Sequence, residues 1–153
     1  MSGDWWDDLP PVLSLATVAD GTAADGMSWV VRAGGTRAEC NTVLDIQLPG
    51  GQRAGGGGMG GPALPPGRLM NVSVHRCDSG LHYLVGRVGL DVARLRLLLG
   101  GAPPATMDLS PAGTSPELGV AFVAAILPAA ADLVNVTALD EHGRVLEATD
   151  TSR

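Results

Sequence analysis

The chain has 153 residues, a net charge of −6 and only 17% charged side chains, which fits one domain with an acidic surface. That balance weighs against nucleic acid or an anionic membrane as the main partner. Aromatic residues make up 3% of a chain that is 45% hydrophobic, so the core is expected to be aliphatic, built from Val, Leu and Ala.

All ten basic residues are arginine. With 22 Gly and 11 Pro, this reads as the imprint of GC-rich coding and not as a functional demand for guanidinium groups. Residues 1–10 read as an acidic aromatic arm in which Trp5 and Trp6 sit between Asp4 and Asp7-Asp8. The start is acidic where a signal peptide would be basic, and no apolar stretch follows promptly. No uninterrupted apolar run reaches the length of a membrane helix. The expectation is a cytoplasmic chain with no membrane span.

Residues 11–150 are expected to form one β domain. Val12, Leu13, Leu15 and Val18 suggest a first strand, cut off by Asp20-Gly21. Met27 to Ala33 makes a second, with Trp29 in the core. Gly34-Gly35 is a hairpin-type turn, and Ala38 to Leu48 is a third run. The interval 49–67, with Gly55-Gly56-Gly57-Gly58 and Pro65-Pro66, reads as a flexible loop, because such a composition buries little to offset the entropy of ordering it.

Strands resume with Leu69 to Arg76, turn at Asp78-Ser79-Gly80, and return as Leu81 to Val88. Val92, Leu95, Leu97 and Leu99 belong to the next apolar run. Helix is its rival, since Leu and Arg are good helix formers, but the short run and its Gly100-Gly101 ending favour strand. Arg94 and Arg96 share its solvated face. Ala105 to Leu109 adds a short edge strand between prolines. Gly119 to Leu127 follows, with Phe122 inward and a single helical turn as the alternative near Ala124.

The segment from Asp132 to Thr149 is the clearest of all. Val134, Val136 and Ala138 alternate with Asn135, Thr137 and Leu139, the period of a half-buried strand. Asp140-Glu141-His142-Gly143 supplies a turn, and Val145 and Ala148 lie on the return strand. Roughly eight to ten short strands with Gly/Pro-rich turns predict an all-β sandwich closed by a C-terminal β-hairpin.

Several residue runs carry a resemblance: Tyr83-Leu-Val-Gly-Arg-Val88, Asp91 to Leu97, Val120 to Ala124, and Val136 to Leu146. In their order the chain resembles the immunoglobulin-like β-sandwich domains of uncharacterised proteins from high-GC, actinobacterial bacteria. The resemblance covers somewhat under half the chain and implies a fold, with no catalytic residues to carry over. Such domains often pair an early cysteine with one beyond a Gly-rich loop, which Cys40 and Cys77 echo.

Taken on their own residues, Cys40 and Cys77 are open to two readings. A disulfide would close a long loop and contribute about 3–4 kcal/mol. Without an export signal, two reduced cysteines serve as small apolar residues. His75, Cys77 and His82, with Asp78, are the nearest approach to a metal set, but a structural zinc wants about four ligands and an ordinary turn explains the segment. No metal and no cofactor are expected. No Gly-x-Ser-x-Gly elbow, catalytic-cysteine signature or phosphate loop occurs, so the chain is not expected to be an enzyme. Asp140, Glu141 and His142 read as solvated turn residues.

The partner-binding candidates are therefore Trp5, Trp6, Asp7 and Asp8, since large aromatics are disproportionately interface anchors. The expected function is a non-catalytic interaction or accessory module docking to a protein partner. Self-assembly through strand edges or the arm is the alternative. A small-ligand or carbohydrate-binding sandwich comes third, weakened by the scarcity of rings.

Overall fold

The computed structural model describes residues 15–23, 25–77, 80–128 and 130–150. These form twelve strands: β1 (Ala16–Thr22), β2 (Ser28–Gly35), β3 (Cys40–Gln47), β4 (Arg53–Met59), β5 (Met70–Arg76), β6 (His82–Gly89), β7 (Arg94–Gly100), β8 (Ala105–Leu109), β9 (Gly113–Ser115), β10 (Val120–Leu127), β11 (Asp132–Leu139) and β12 (Val145–Asp150). No helix occurs among the described residues. The chain is all-β, and its sheets pack face to face as in a β-sandwich.

There are three antiparallel four-stranded sheets. The first is a meander in the order β1-β2-β3-β4. The second joins hairpin β5–β6 to hairpin β9–β10 through β6 and β10, in register from Val120↔Gly89 to Leu127↔His82. The third joins β7–β8 to β11–β12 through β7 and β11. From β5 onward, successive hairpins therefore alternate between two sheets.

The second sheet lies in the middle. Along β6 and β10, Leu84, Val88, Ala121 and Val123 join one apolar cluster with Leu95, Leu97, Val136 and Ala138 of the third sheet. The intervening residues Tyr83, Val85, Val120 and Phe122 join another with Trp29, Val31, Leu44 and Ile46 of the first sheet. Side chains alternate across a strand, so both faces of the central sheet are covered and every residue of β6 is buried. This explains why β6 and β10 read as near-continuous apolar runs with little alternation. Each fully buried Leu or Val contributes about 1.5–3 kcal/mol.

The structure departs from the sequence expectations in several places. Gly34-Gly35, expected as a hairpin turn, end strand β2 and pair with Asn41 and Cys40, so the turn falls at 36–39. The described residues hold twelve strands, more than eight to ten, because a third sheet is present. β1 runs through Asp20-Gly21 instead of ending there, since Gly21 lies under the Trp29 indole and pairs with Trp29 in register. The interval 49–67, read as a flexible loop, contains β4, paired along β3 from Thr42↔Met59 to Gln47↔Arg53. The glycines that argued against order are what let β4 come close. A side chain at Gly56 (φ 153°) would strike the Leu44 carbonyl, and one at Gly57 would strike the Tyr83 hydroxyl. The run from Leu95 to Leu99 is strand, not helix, and so is Ala124.

Candidate functional site

Trp5, Trp6, Asp7 and Asp8 lie outside the described residues. Among the rest, the structure separates what sequence proximity suggested. His75 lies across from Tyr83 in the β5–β6 register and Arg76 across from His82, so the two histidines face opposite sides of the central sheet. His75 stacks on Tyr83, ring centroids 5.4 Å apart, and its Nε2 is 2.6 Å from the Ser73 hydroxyl. His82 is buried, its Nδ1 3.1 Å from the Pro128 carbonyl. Asp78 lies outside the described residues, and among those described no group of three or more His, Cys, Asp or Glu is placed to hold a metal ion.

Both cysteines are free thiols, so the weighed disulfide is not formed. Cys40 opens β3, whereas the Cys77 thiol sits beside Gly55, which pairs with Ile46 near the far end of that strand. Six residues of extended chain amount to roughly 20 Å, far beyond the reach of a disulfide. Cys40 is fully buried and Cys77 half-buried.

Two concave regions mark opposite ends of the molecule. One is a cleft of about 580 Å³ between the first and central sheets. It is built from the β1–β2 loop (Asp25, Met27), the β3–β4 turn (Leu48, Arg53, Ala54), the start of β6 (Leu81, His82) and the end of β10 (Ile126, Leu127, Pro128). Its lining is mainly apolar, with Arg53 and Asp25 as the charged groups among the described residues. Arg53 donates from Nε to Asp45 across 3.1 Å, and Asp25 accepts from the Met27 N–H at 3.1 Å.

The other is a depression of about 400 Å³ between the β6–β7 turn and the β11–β12 turn. Leu90 and Leu146 border it, with Asp91, Glu141 and His142 on its rim. Leu90 is 52% exposed and Val145 64% exposed. The turn itself is fixed by Asp140, whose carboxylate accepts from the N–H groups of Arg144 at 2.9 Å and His142 at 2.8 Å. Those two bonds, Arg144 first, hold its carboxyl below the ordinary value.

Arg87 was not legible as special. It is fully buried in the middle of the molecule. Its guanidinium donates to the carbonyls of Ala63 (2.8 Å), Gly60 (2.9 Å) and Pro62 (3.0 Å) and to the Thr42 hydroxyl (2.7 Å). Burial pulls its pKa below the usual arginine value, opposed by nearby Cys40. The group locks the 60–63 segment to the central sheet. The apolar cleft residues Met27, Leu48, Leu81 and Ile126 also escaped notice, since each reads as ordinary core until the sheets are seen to diverge there.

No protein-family model, curated protein or solved structure matches the chain.

Proposed function

We propose that this chain is a non-catalytic protein-interaction module. The observation that carries the reading is the exposed apolar surface of Leu90 and Leu146 around the depression at one end of the sandwich. Contiguous apolar surface rimmed by polar groups marks interaction sites. Val145 and Leu146 open β12, which ends the third sheet, so a partner strand pairing there would bring its side chains to Leu90 and Leu146. The acidic rim residues Asp91 and Glu141 favour a basic partner. Trp5, Trp6, Asp7 and Asp8 are proposed as a second contact, on their composition alone. The immunoglobulin-like reading is proposed for the pair formed by the central and third sheets, eight strands from β5 to β12, which spans the residues that carry the resemblance.

The test is capture from native lysate by the full chain, by a Leu90→Ser/Leu146→Ser variant and by a chain lacking residues 1–10, with mass in solution measured for each. A partner retained by the full chain and released by the serine variant, at equal melting temperature, supports docking at this patch. Identical capture by both sinks it. A patch-dependent doubling of mass without a partner would replace docking by self-assembly.

A further inference from the structure

We propose that the outer face of the first sheet is a docking surface for this chain's own residues 1–14. Side chains alternate along a strand. On β3, Leu44 and Ile46 join the cluster shared with the central sheet and Thr42 meets Arg87, so Val43 and Asp45 point the other way. That outward face should stand open to water, because the positions paired with them on β4 are Gly58 and Gly56, which have no side chains. Yet in the lone chain Val43 is 1% exposed and Asp45 6%, and Val43 belongs to neither core cluster. Beside Val43 in register stands Arg32. Its Nη1 is buried without a hydrogen-bond partner, 3.9 Å from the Asp45 carboxylate, so water is kept from this face at a second point.

The cover belongs to the same chain, since the burial is complete with one copy present. The turns of the first sheet run at its two ends, and the central sheet packs on its other face. Outside the described residues, 24 falls in the β1–β2 turn, 78–79 and 129 in turns at the ends of central-sheet strands, and 151–153 after β12 in the third sheet, beyond the central one. Residues 1–14 are left. They lead into β1, whose Thr17 shares a row with Arg32, Val43 and Gly58, two strand spacings or roughly 10 Å from Val43. A segment of that length reaches up to roughly 45 Å. Val12 and Leu13 are its apolar side chains nearest β1. The glycines of β4 leave a shallow trough beside Val43, and an apolar segment laid in it is removed from water together with Val43. A segment seated here offers a partner only the side chains it does not lay on the face, and the patch at Leu90 and Leu146 is independent of it.

The experiment uses the full chain with methyl-labelled valine. Nuclear Overhauser contacts from the Val43 methyls should reach protons of residues 1–14, and a mixture of labelled and unlabelled copies should show none between chains. A soluble nitroxide should broaden Val43 no more than the core residue Val31 and several-fold less than the exposed Val145. Replacing residues 1–14 with a flexible Gly/Ser stretch of equal length should raise the broadening of Val43 several-fold while Val31 stays protected, which also reports that the sheets have folded. Val43 contacts that come only from outside residues 1–14, or that cross between copies, would overturn the proposal. So would a Val43 that stays shielded in the Gly/Ser chain. Should that chain not fold, the Overhauser contacts in the parent decide alone.

Discussion

The Tyr83 hydroxyl fills the space that a side chain on Gly57 would need: a Cβ placed there falls 2.5 Å from it. The contact joins β4, on the edge of the first sheet, to the doubly covered strand β6, and so fixes the spacing of two layers. Gly57→Ala should therefore destabilise the protein by about 1–3 kcal/mol, the usual cost of overpacking. Tyr83→Phe in the same chain should recover most of that loss, because the clash is with the hydroxyl and the two changes are coupled. Gly50→Ala, with nothing within 4 Å of its Cβ position, should stay within about 0.5 kcal/mol of the parent. Urea unfolding midpoints decide the matter. A Gly57→Ala chain as stable as the parent would mean that β4 is not held against Tyr83.

The same contact shows why part of the fold was legible in the sequence and part was not. The C-terminal hairpin announced itself because β11 carries Val136 and Ala138 inward with Asn135 and Thr137 between them, and a turn follows; the finer alternation failed at its ends, where a bulge between Leu133 and Asn135 buries Leu133 in place of Val134, and Leu139 is buried as well. Ala105–Leu109 was bounded correctly by its prolines. β4 was invisible for a physical reason. Glycine has no side chain to alternate, and the benefit of its smallness lies in what approaches it from another sheet. β9, three residues long, offers no period at all. The third layer was hidden because a strand buried on both faces looks like any short apolar run. The concave sites are still less legible, since Leu90 and Met27 differ from core residues only in where the sheets end.

Arg87 presents the opposite problem, a charged residue where composition predicts an apolar one. Its donors satisfy three carbonyls and the Thr42 hydroxyl within the interior. Arg87→Met would keep the volume but leave those acceptors without partners, each costing about 1–3 kcal/mol if water cannot reach it. The expected loss is at least about 3 kcal/mol in thermal or urea unfolding. Arg87→Lys should fail to rescue it, because an ammonium cannot reproduce the planar fork. Full stability in the lysine variant would show that the guanidinium geometry is irrelevant.

The two thiols should behave as strangers to each other. Cys77, half-buried, should react with a maleimide in native buffer well before Cys40, which is fully buried and must await an opening of the structure. Air oxidation should give no intramolecular bridge, and peptide mapping after alkylation should recover both cysteines singly. A Cys40–Cys77 peptide formed under native conditions would contradict their placement at opposite ends of β3.

The hairpin turn beside Leu146 should respond to acid through Asp140. Its carboxylate is stabilised by the N–H groups of Arg144 and His142, so its pKa lies below the ordinary 3.8. A carboxyl depressed in the folded state contributes stability that is present above the unfolded value and is lost as pH falls through the folded one. The amide resonances of His142 and Arg144 should therefore move together on acidification, with a shared midpoint below the ordinary 3.8. Asp140→Asn keeps an oxygen acceptor for the turn but cannot titrate, so it should preserve both amide positions and flatten their acid response. Asp140→Ala should release both amides at every pH and loosen the edge of the apolar patch. An Asp140 midpoint at or above 3.8 would show that these two hydrogen bonds do not hold the turn in solution.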